Sequence, residues 1–319
     1  MPRSGFFPVE RALSSGLPKG LRGATHVLVQ ARLLDPPEKH AALARFLGAL
    51  PQDIVKAFSD TYANADIRLA AVLSDLDLYF KKSLFADPRQ FLGATYGHTN
   101  LTAYYSRLYG LHEEMKDWQV PRSALAKLRL APNFLTDPDL LAMFLERRDA
   151  PPQSGRRIDV HARLGGTGAP GFYGESRRHA ARAVEALDDL VLATGGRVNR
   201  TEYMDELRQA RLCFSPFGYG ELCWRDIEAV AAGAVLVKPD MSHLRTEPDL
   251  YRDDETYVAC RWDFSDLEEK VRALLGDEDR RRRIATNAWN VARDYLNGGG
   301  PVATYADLFR SPETLRVGR

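Results

Sequence analysis

Cysteine is scarce in this chain of 319 residues, with only Cys213, Cys223 and Cys260. An odd, widely spaced set gives neither a disulfide framework nor the paired spacing of a structural zinc site. Reduced thiols in a cytoplasmic protein are the expectation. Long hydrophobic runs are also lacking. No stretch approaches the ~20 apolar residues that a membrane span requires. The first twenty residues hold no apolar core of signal-peptide length, so no secretory leader is expected. Charge of one sign is missing as well. With 44 basic and 43 acidic residues the net charge is +1, which offers no global pull on nucleic acid. The cluster Arg280-Arg281-Arg282-Arg283 follows Asp277-Glu278-Asp279. It reads as a solvated helix face, with peripheral membrane contact as the alternative.

What is present is ordinary globular composition, 45% hydrophobic and 27% charged, at a length that suggests two domains. Apolar runs alternate with helical periodicity, which argues for parallel sheets covered by helices. In the first half, strands are expected at Thr25–Ala31, at the near-continuous run Ile67–Leu73, and at Leu78–Phe80. Helices are expected at Glu38–Leu50 and Leu101–Tyr109, the first after a turn at Leu34–Pro37. The Pro/Gly/Ser-rich stretch Asp149–Arg157 marks a boundary. Beyond it come a strand at Ile158–Ala162, the glycine-rich loop Arg163–Gly168, a helix Glu175–Leu187 and a strand Leu190–Thr194. Asn199 caps a helix Glu202–Ala210, and a strand begins at Leu212. Two further helices are expected at Phe264–Leu275 and Asp279–Leu296. The domains are therefore 1–150 and 157–296, with a tail, 297–319, packing back toward the first.

The most informative segment is Cys213–Asp240, CFSPFGYGELCWRDIEAVAAGAVLVKPD. It reads as strand, glycine-rich loop, helix and strand. Glu221, Arg225 and Glu228 at i, i+4 and i+7 would share one helix face. Charge on the first turns behind such a loop suits an anionic ligand, although a solvated ion-pair edge would show the same spacing. Arg163, at a strand end beside Gly165, could offer a bidentate fork to phosphate.

The segment resembles the donor-binding signature of GT-B glycosyltransferases, nearest the exostosin-like branch. The matching residues are Ser215-Pro216-Phe217-Gly218, then Arg225, Glu228-Ala229 and Ala232-Gly233. The resemblance implies two Rossmann-like domains with parallel sheets facing across a cleft. It implies transfer of a sugar from a nucleotide-sugar donor to an acceptor hydroxyl in polysaccharide or glycoconjugate assembly. Glu228 would hold the ribose, while Arg225, Arg163 and the loop Ser215–Glu221, with Gly218 and Tyr219, would face the diphosphate and sugar. Val198 and Arg200 match by position the place where the base is held. Glu221 and Glu228 have six residues between them where the wider retaining group has seven, so Glu221 stays a nucleotide-sugar candidate although its spacing departs from the pattern that would give it the sugar contact. The donor is a co-substrate, no metal or other cofactor is expected, and the acceptor would be a saccharide or glycolipid.

An acceptor hydroxyl must lose a proton as it attacks, and the first domain offers Asp77 and His98, with Asp75 beside them, as bases on strand-end loops. Asp75-Leu76-Asp77 is also the short metal signature of GT-A enzymes, which makes a metal-dependent transferase one alternative. A sugar-nucleotide-binding protein without chemistry is another. Lys81 or Lys82 could reach a phosphate across the cleft, and Asp240, Ser242 and His243 could touch the sugar.

Overall fold

The computed structural model of the chain describes residues 21, 23–31, 37–133, 135 and 138–317. The N-terminal segment and most of the expected turn at 34–37 lie outside the described residues. The first sheet is built from β1 (His26–Ala31), β2 (Val55–Asp60) and β3 (Leu78–Lys81). Past its edge run three short strands, β4 (Ser83–Phe85), β5 (Thr95–Tyr96) and β6 (Met115–Lys116). β7 (Leu128–Leu130) completes the sheet in the order β1-β2-β3-β7, with every pairing parallel.

The expected strand at Ile67–Leu73 is not one. Residues Ala70–Asp75 form 3-10 turns instead, with Ile67, Leu69, Val72 and Leu73 all buried under the sheet. A run that is apolar on every side satisfies a buried turn as well as a buried strand. The strand that takes its place, β2, reads VKAFSD. Its lysine, serine and aspartate disguise it, yet five of its six residues are buried.

The second sheet comprises β8 (Ile158–His161), β9 (Leu192–Ala193), β10 (Ala210–Phe214), β11 (Val235–Pro239) and β13 (Val258–Cys260). Its order is β13-β11-β10-β8-β9, again wholly parallel. Parallel strands need crossovers, and here helices supply them. After α1 (Pro37–Ala49), α2 (Leu101–Tyr109) and α3 (Pro138–Leu145) come α4 (Gly171–Glu185), α5 (Arg200–Gln209) and α6 (Trp224–Ala232). α7 (Leu267–Leu275) and α8 (Glu278–Asn297) follow. Asn199 caps α5 by accepting from the Glu202 amide at 2.9 Å. Gly233 ends α6 in the left-handed region at φ +76°, the conformation glycine adopts without strain.

The carboxyl edges of the two sheets face each other. β12 (Leu244–Thr246), just beyond β11, pairs antiparallel with β4, just beyond β3. The loop after β10 also meets the loop after β2. A Cβ on Gly220 would lie 2.0 Å from the Ala63 carbonyl oxygen, so only glycine fits there.

The chain is interlaced across this junction. α2 and α3 precede residue 150, yet Leu101, Tyr105, Leu140 and Phe144 belong to the hydrophobic cluster that also holds Ile227, Leu236 and Trp289. Phe144 packs on the fully buried Trp289 with ring centroids 4.9 Å apart. Burying a side chain of that size contributes about 2–3 kcal/mol. Conversely, beyond α8 the chain returns to the first sheet. Tyr305, Leu308 and Leu315 pack on Val55, Leu78 and Phe80.

Candidate functional site

A cavity of about 750 Å³ opens at the carboxyl edge of the second sheet. The loops after β8 and β9 line it, together with the start of α5 and the first turns of α6. Ligands of open parallel sheets sit at this edge. Of the residues proposed from sequence, Arg163, Gly165, Val198, Arg200, Arg225 and Glu228 line this cavity. Ser215, Gly218, Tyr219 and Glu221 are not among the lining residues.

Glu228 projects from α6 and is 6% exposed. Tyr203 donates to its Oε2 at 2.8 Å, and Arg200 Nη1 donates to Oε1. Burial pushes the Tyr203 phenol well above its usual range, so it remains a donor. A carboxylate has about four lone-pair sites, so these two bonds leave room to accept further hydroxyls.

Arg163 is already committed. Its Nε and Nη2 donate to both oxygens of Glu206 at 2.6 Å each, and Nη1 donates to the carbonyls of Thr194 at 2.7 Å and Gly196 at 3.0 Å. The expectation that its fork is free for phosphate is corrected: it pins the β9 loop to α5. The Arg163 hydrogen bonds hold Glu206 below the usual carboxylate range.

Among the described residues no carboxylate pairs with Arg225. Its Nη2 donates to the Arg163 carbonyl at 2.6 Å, while Nε and Nη1 are buried without a protein acceptor. His161, at the end of β8, has Nε2 3.5 Å from Glu206 Oε2, while its Nδ1 is buried without a partner. Burial first, then the Arg225 cation, push its pKa down to about 4, so it is neutral near pH 7.

α6 starts at Trp224, which corrects the expectation that Glu221 shares a helix face with Arg225 and Glu228. Glu221 lies in the preceding loop, fully buried at the domain junction. Its Oε1 accepts from Asn100 Nδ2 at 2.5 Å and stands 3.1 Å from His243 Nε2. Asn100 comes from the start of α2 in the first half of the chain, so this contact ties the two halves together. Ser215 is also internal. Its hydroxyl donates to Asp226 Oδ1 at 2.6 Å, and Asp226 meets Lys238 at 3.2 Å and Tyr251 Oη at 2.7 Å. That buried network shapes the loop from behind. Gly218 donates its amide to the Gly220 carbonyl at 2.9 Å, and the exposed Tyr219 stacks on Tyr173 with centroids 4.4 Å apart.

The first-domain bases fare differently. Asp77 precedes β3, at the amino edge of the sheet and so at the end away from the junction. Its carboxylate accepts from the Lys56 amide at 3.0 Å. Because Ile67–Leu73 is not a strand, neither Asp75 nor Asp77 sits on a strand-end loop, and their expected catalytic place is corrected. His98 is exposed two residues before Asn100, and its carbonyl accepts from Arg68. Lys81 is fully buried against Asp60 at 2.8 Å and is a structural ion pair. Among the described residues no group of three or more His, Cys, Asp or Glu side chains could hold a metal ion. No described helix is long and apolar enough to cross a membrane.

Sequence reasoning missed Arg177, Tyr203 and Asp226. Arg177 and Tyr203 sit mid-helix without a motif, and only the fold brings them to the loops. Asp226 lay inside the signature, three residues after Cys223, where a capping carboxylate at the third helical position could have been read.

The family described as glycosyl transferase-like matches residues 143–297. No curated protein matches the chain. Among solved structures, S. aureus TarM in complex with fondaparinux, alpha-GlcNAc-glycerol and UDP aligns with a TM-score of 0.52 at 11% identity. That alignment covers 89% of this chain and 55% of TarM, so the chain spans about half of that protein's length. An alpha-glucosyltransferase in complex with UDP-glucose and DNA containing an abasic site aligns with a TM-score of 0.50 at 12% identity, covering 95% of this chain and 83% of that one. Both neighbours are GT-B proteins, and the facing parallel sheets described above are that architecture. The chain is thus a GT-B fold protein whose residues 143–297 match the family described as glycosyl transferase-like.

Proposed function

We propose that the protein is a glycosyltransferase that takes its sugar from a nucleoside diphosphate donor. The observation that carries this reading is Arg225. Two of its guanidinium nitrogens are buried without an acceptor beside a 750 Å³ cavity that also holds the half-satisfied Glu228. A buried unpaired cation is costly, and an anion in the cavity would satisfy it. Glu228 would accept from the ribose hydroxyls, and the β9 loop at Val198 would face the base.

In the reaction the acceptor oxygen forms a bond to the anomeric carbon as the bond to the diphosphate breaks. Charge gathers on the departing phosphate, where fixed cations aimed at it lower the barrier. Arg225 meets that charge, so no metal would be required. His98, near the junction on the first-domain side, is the candidate base for the acceptor proton. The acceptor would be a saccharide or glycolipid rather than nucleic acid, since the net charge of +1 supplies no polyanion attraction. Three unpaired cysteines suit a reducing, cytoplasmic setting. A role in polysaccharide or glycoconjugate assembly fits such an acceptor.

The GT-A alternative built on Asp75 and Asp77 falls with the fold and with the place of Asp77. The test is a thermal-shift screen of nucleoside diphosphates and their sugars, since a ligand of the folded state raises its stability. One base should stand out. No shift from any of them at millimolar concentration would end the proposal. Turnover of the best donor with a saccharide acceptor pool separates an enzyme from a binding protein.

A further inference from the structure

Arg177 lies on α4, outside the signature segment, and is 4% exposed. Among the described residues no carboxylate forms an ion pair with it, and its Nε is buried without a partner. It faces the ring of Tyr173, whose centroid is 5.3 Å from the guanidinium carbon. Burial first, and then the neighbouring Arg225 cation, push the Arg177 guanidinium down. Asp226, a carboxylate of α6, is already bonded to Ser215, Lys238 and Tyr251.

Both glycine-rich loops border Arg177 or the ring that it faces. A Cβ on Gly166 would meet the Tyr173 hydroxyl at 2.4 Å, so the first loop rests on the ring that Arg177 faces. A Cβ on Gly218 would come within 3.4 Å of Arg177 Nη2, so the second loop is bare where it passes the guanidinium. Arg163, the obvious phosphate ligand by position, is held by Glu206. We infer that Arg177, with Arg225, binds the diphosphate of the donor between the two glycine-rich loops. Arginine suits this place because its planar fork can hold two phosphate oxygens at once.

This inference rests on the nucleotide-sugar reading, and one experiment separates the two. Binding of inorganic pyrophosphate, orthophosphate and the best nucleoside diphosphate is measured by calorimetry on the full chain, for the wild type, Arg177→Gln and Arg177→Met. The expected result is at least a tenfold loss of pyrophosphate and nucleoside diphosphate affinity in both variants, with affinity for the unphosphorylated nucleoside unchanged. Orthophosphate should bind the wild type more weakly than pyrophosphate; equal affinity would mean a simple phosphate site and overturn the assignment. The unliganded melting temperature supplies a readout that a structural role would move the other way. Removing an unpaired buried cation should leave it unchanged or raise it, whereas a structural arginine would lower it on replacement. A wild type that binds the nucleoside diphosphate, beside variants that bind it equally well, overturns the role of Arg177 and leaves the function standing. A wild type that binds neither pyrophosphate nor any nucleoside diphosphate overturns both.

Discussion

Arg163 and Glu206 form a two-pronged ion pair, with both nitrogen–oxygen contacts at 2.6 Å, at the wall of the cavity. The pair joins the end of β8 to α5, and through Nη1 it also fixes the loop after β9. Arg163 therefore builds the site by holding its walls. Replacing Glu206 with Gln removes the charge from both hydrogen bonds and should destabilise the fold by about 1.5–3 kcal/mol, the range for bonds to charged groups. Urea unfolding checks this. An unchanged midpoint would mean that the pair contributes nothing beyond what solvent offers.

Glu228→Ala should weaken binding of nucleoside and nucleoside diphosphate alike by about 1–3 kcal/mol, because the lost acceptor is the one proposed for the ribose common to both. Calorimetry on the folded variant decides. Equal affinity to the wild type would remove Glu228 from the ribose.

Arg225→Ala should separate those two ligands. Loss of the cation with unpaired N–H groups should affect the diphosphate far more than the nucleoside, by about tenfold or more for a charge-assisted contact. If both ligands lose the same affinity, the phosphate assignment is wrong.

Asp226→Asn leaves the fully buried Lys238 without its carboxylate. Breaking one partner of a buried pair costs about 3–5 kcal/mol, so this should be among the most damaging single changes. The double variant Asp226→Asn, Lys238→Met should recover part of the loss. If the double variant is as unstable as the single, the network's value lies in the hydrogen bonds of Ser215 and Tyr251 instead.

His161 sets a pH dependence. Its folded pKa of about 4 lies below the ordinary value of 6.5, so the unfolded chain binds its proton first. Stability from this group is therefore full above pH 6.5 and falls as the pH drops toward 4. The loss amounts to about 3 kcal/mol for a shift of this size. His161→Leu should flatten the fall in melting temperature across that window relative to the wild type. Parallel curves for the two proteins would refute the assignment.

The second half of the chain was largely readable in order. Its strands alternate with helices whose caps and periods are local, as with Asn199 before α5. The first half was harder because burial there does not follow composition. The most apolar run, Ile67–Leu73, folds as turns, while VKAFSD, with three polar residues, is a central strand. Its Asp60 is offset by Lys81 and Tyr79, partners that only the fold supplies. The same reasoning explains the site. Arg225 and Glu228 could be found because they lie on one short helix. Glu221 was misplaced because the helix begins three residues later than its periodicity suggests. The occupation of Arg163 by Glu206 joins residues 43 positions apart, and no local pattern carries that.

The exchange of segments across the junction has a practical consequence. A gene fragment ending near residue 150 would lack the partners of Phe144 and Tyr105, and would also lack Leu308 and Leu315 over its own sheet. The complementary fragment would carry an open face around Trp289 and a loose end meant for another body. Recombining halves from two such proteins at that linker would therefore graft mismatched surfaces in both directions. A workable chimera has to swap α2, α3 and the returning tail along with the sheets they cover.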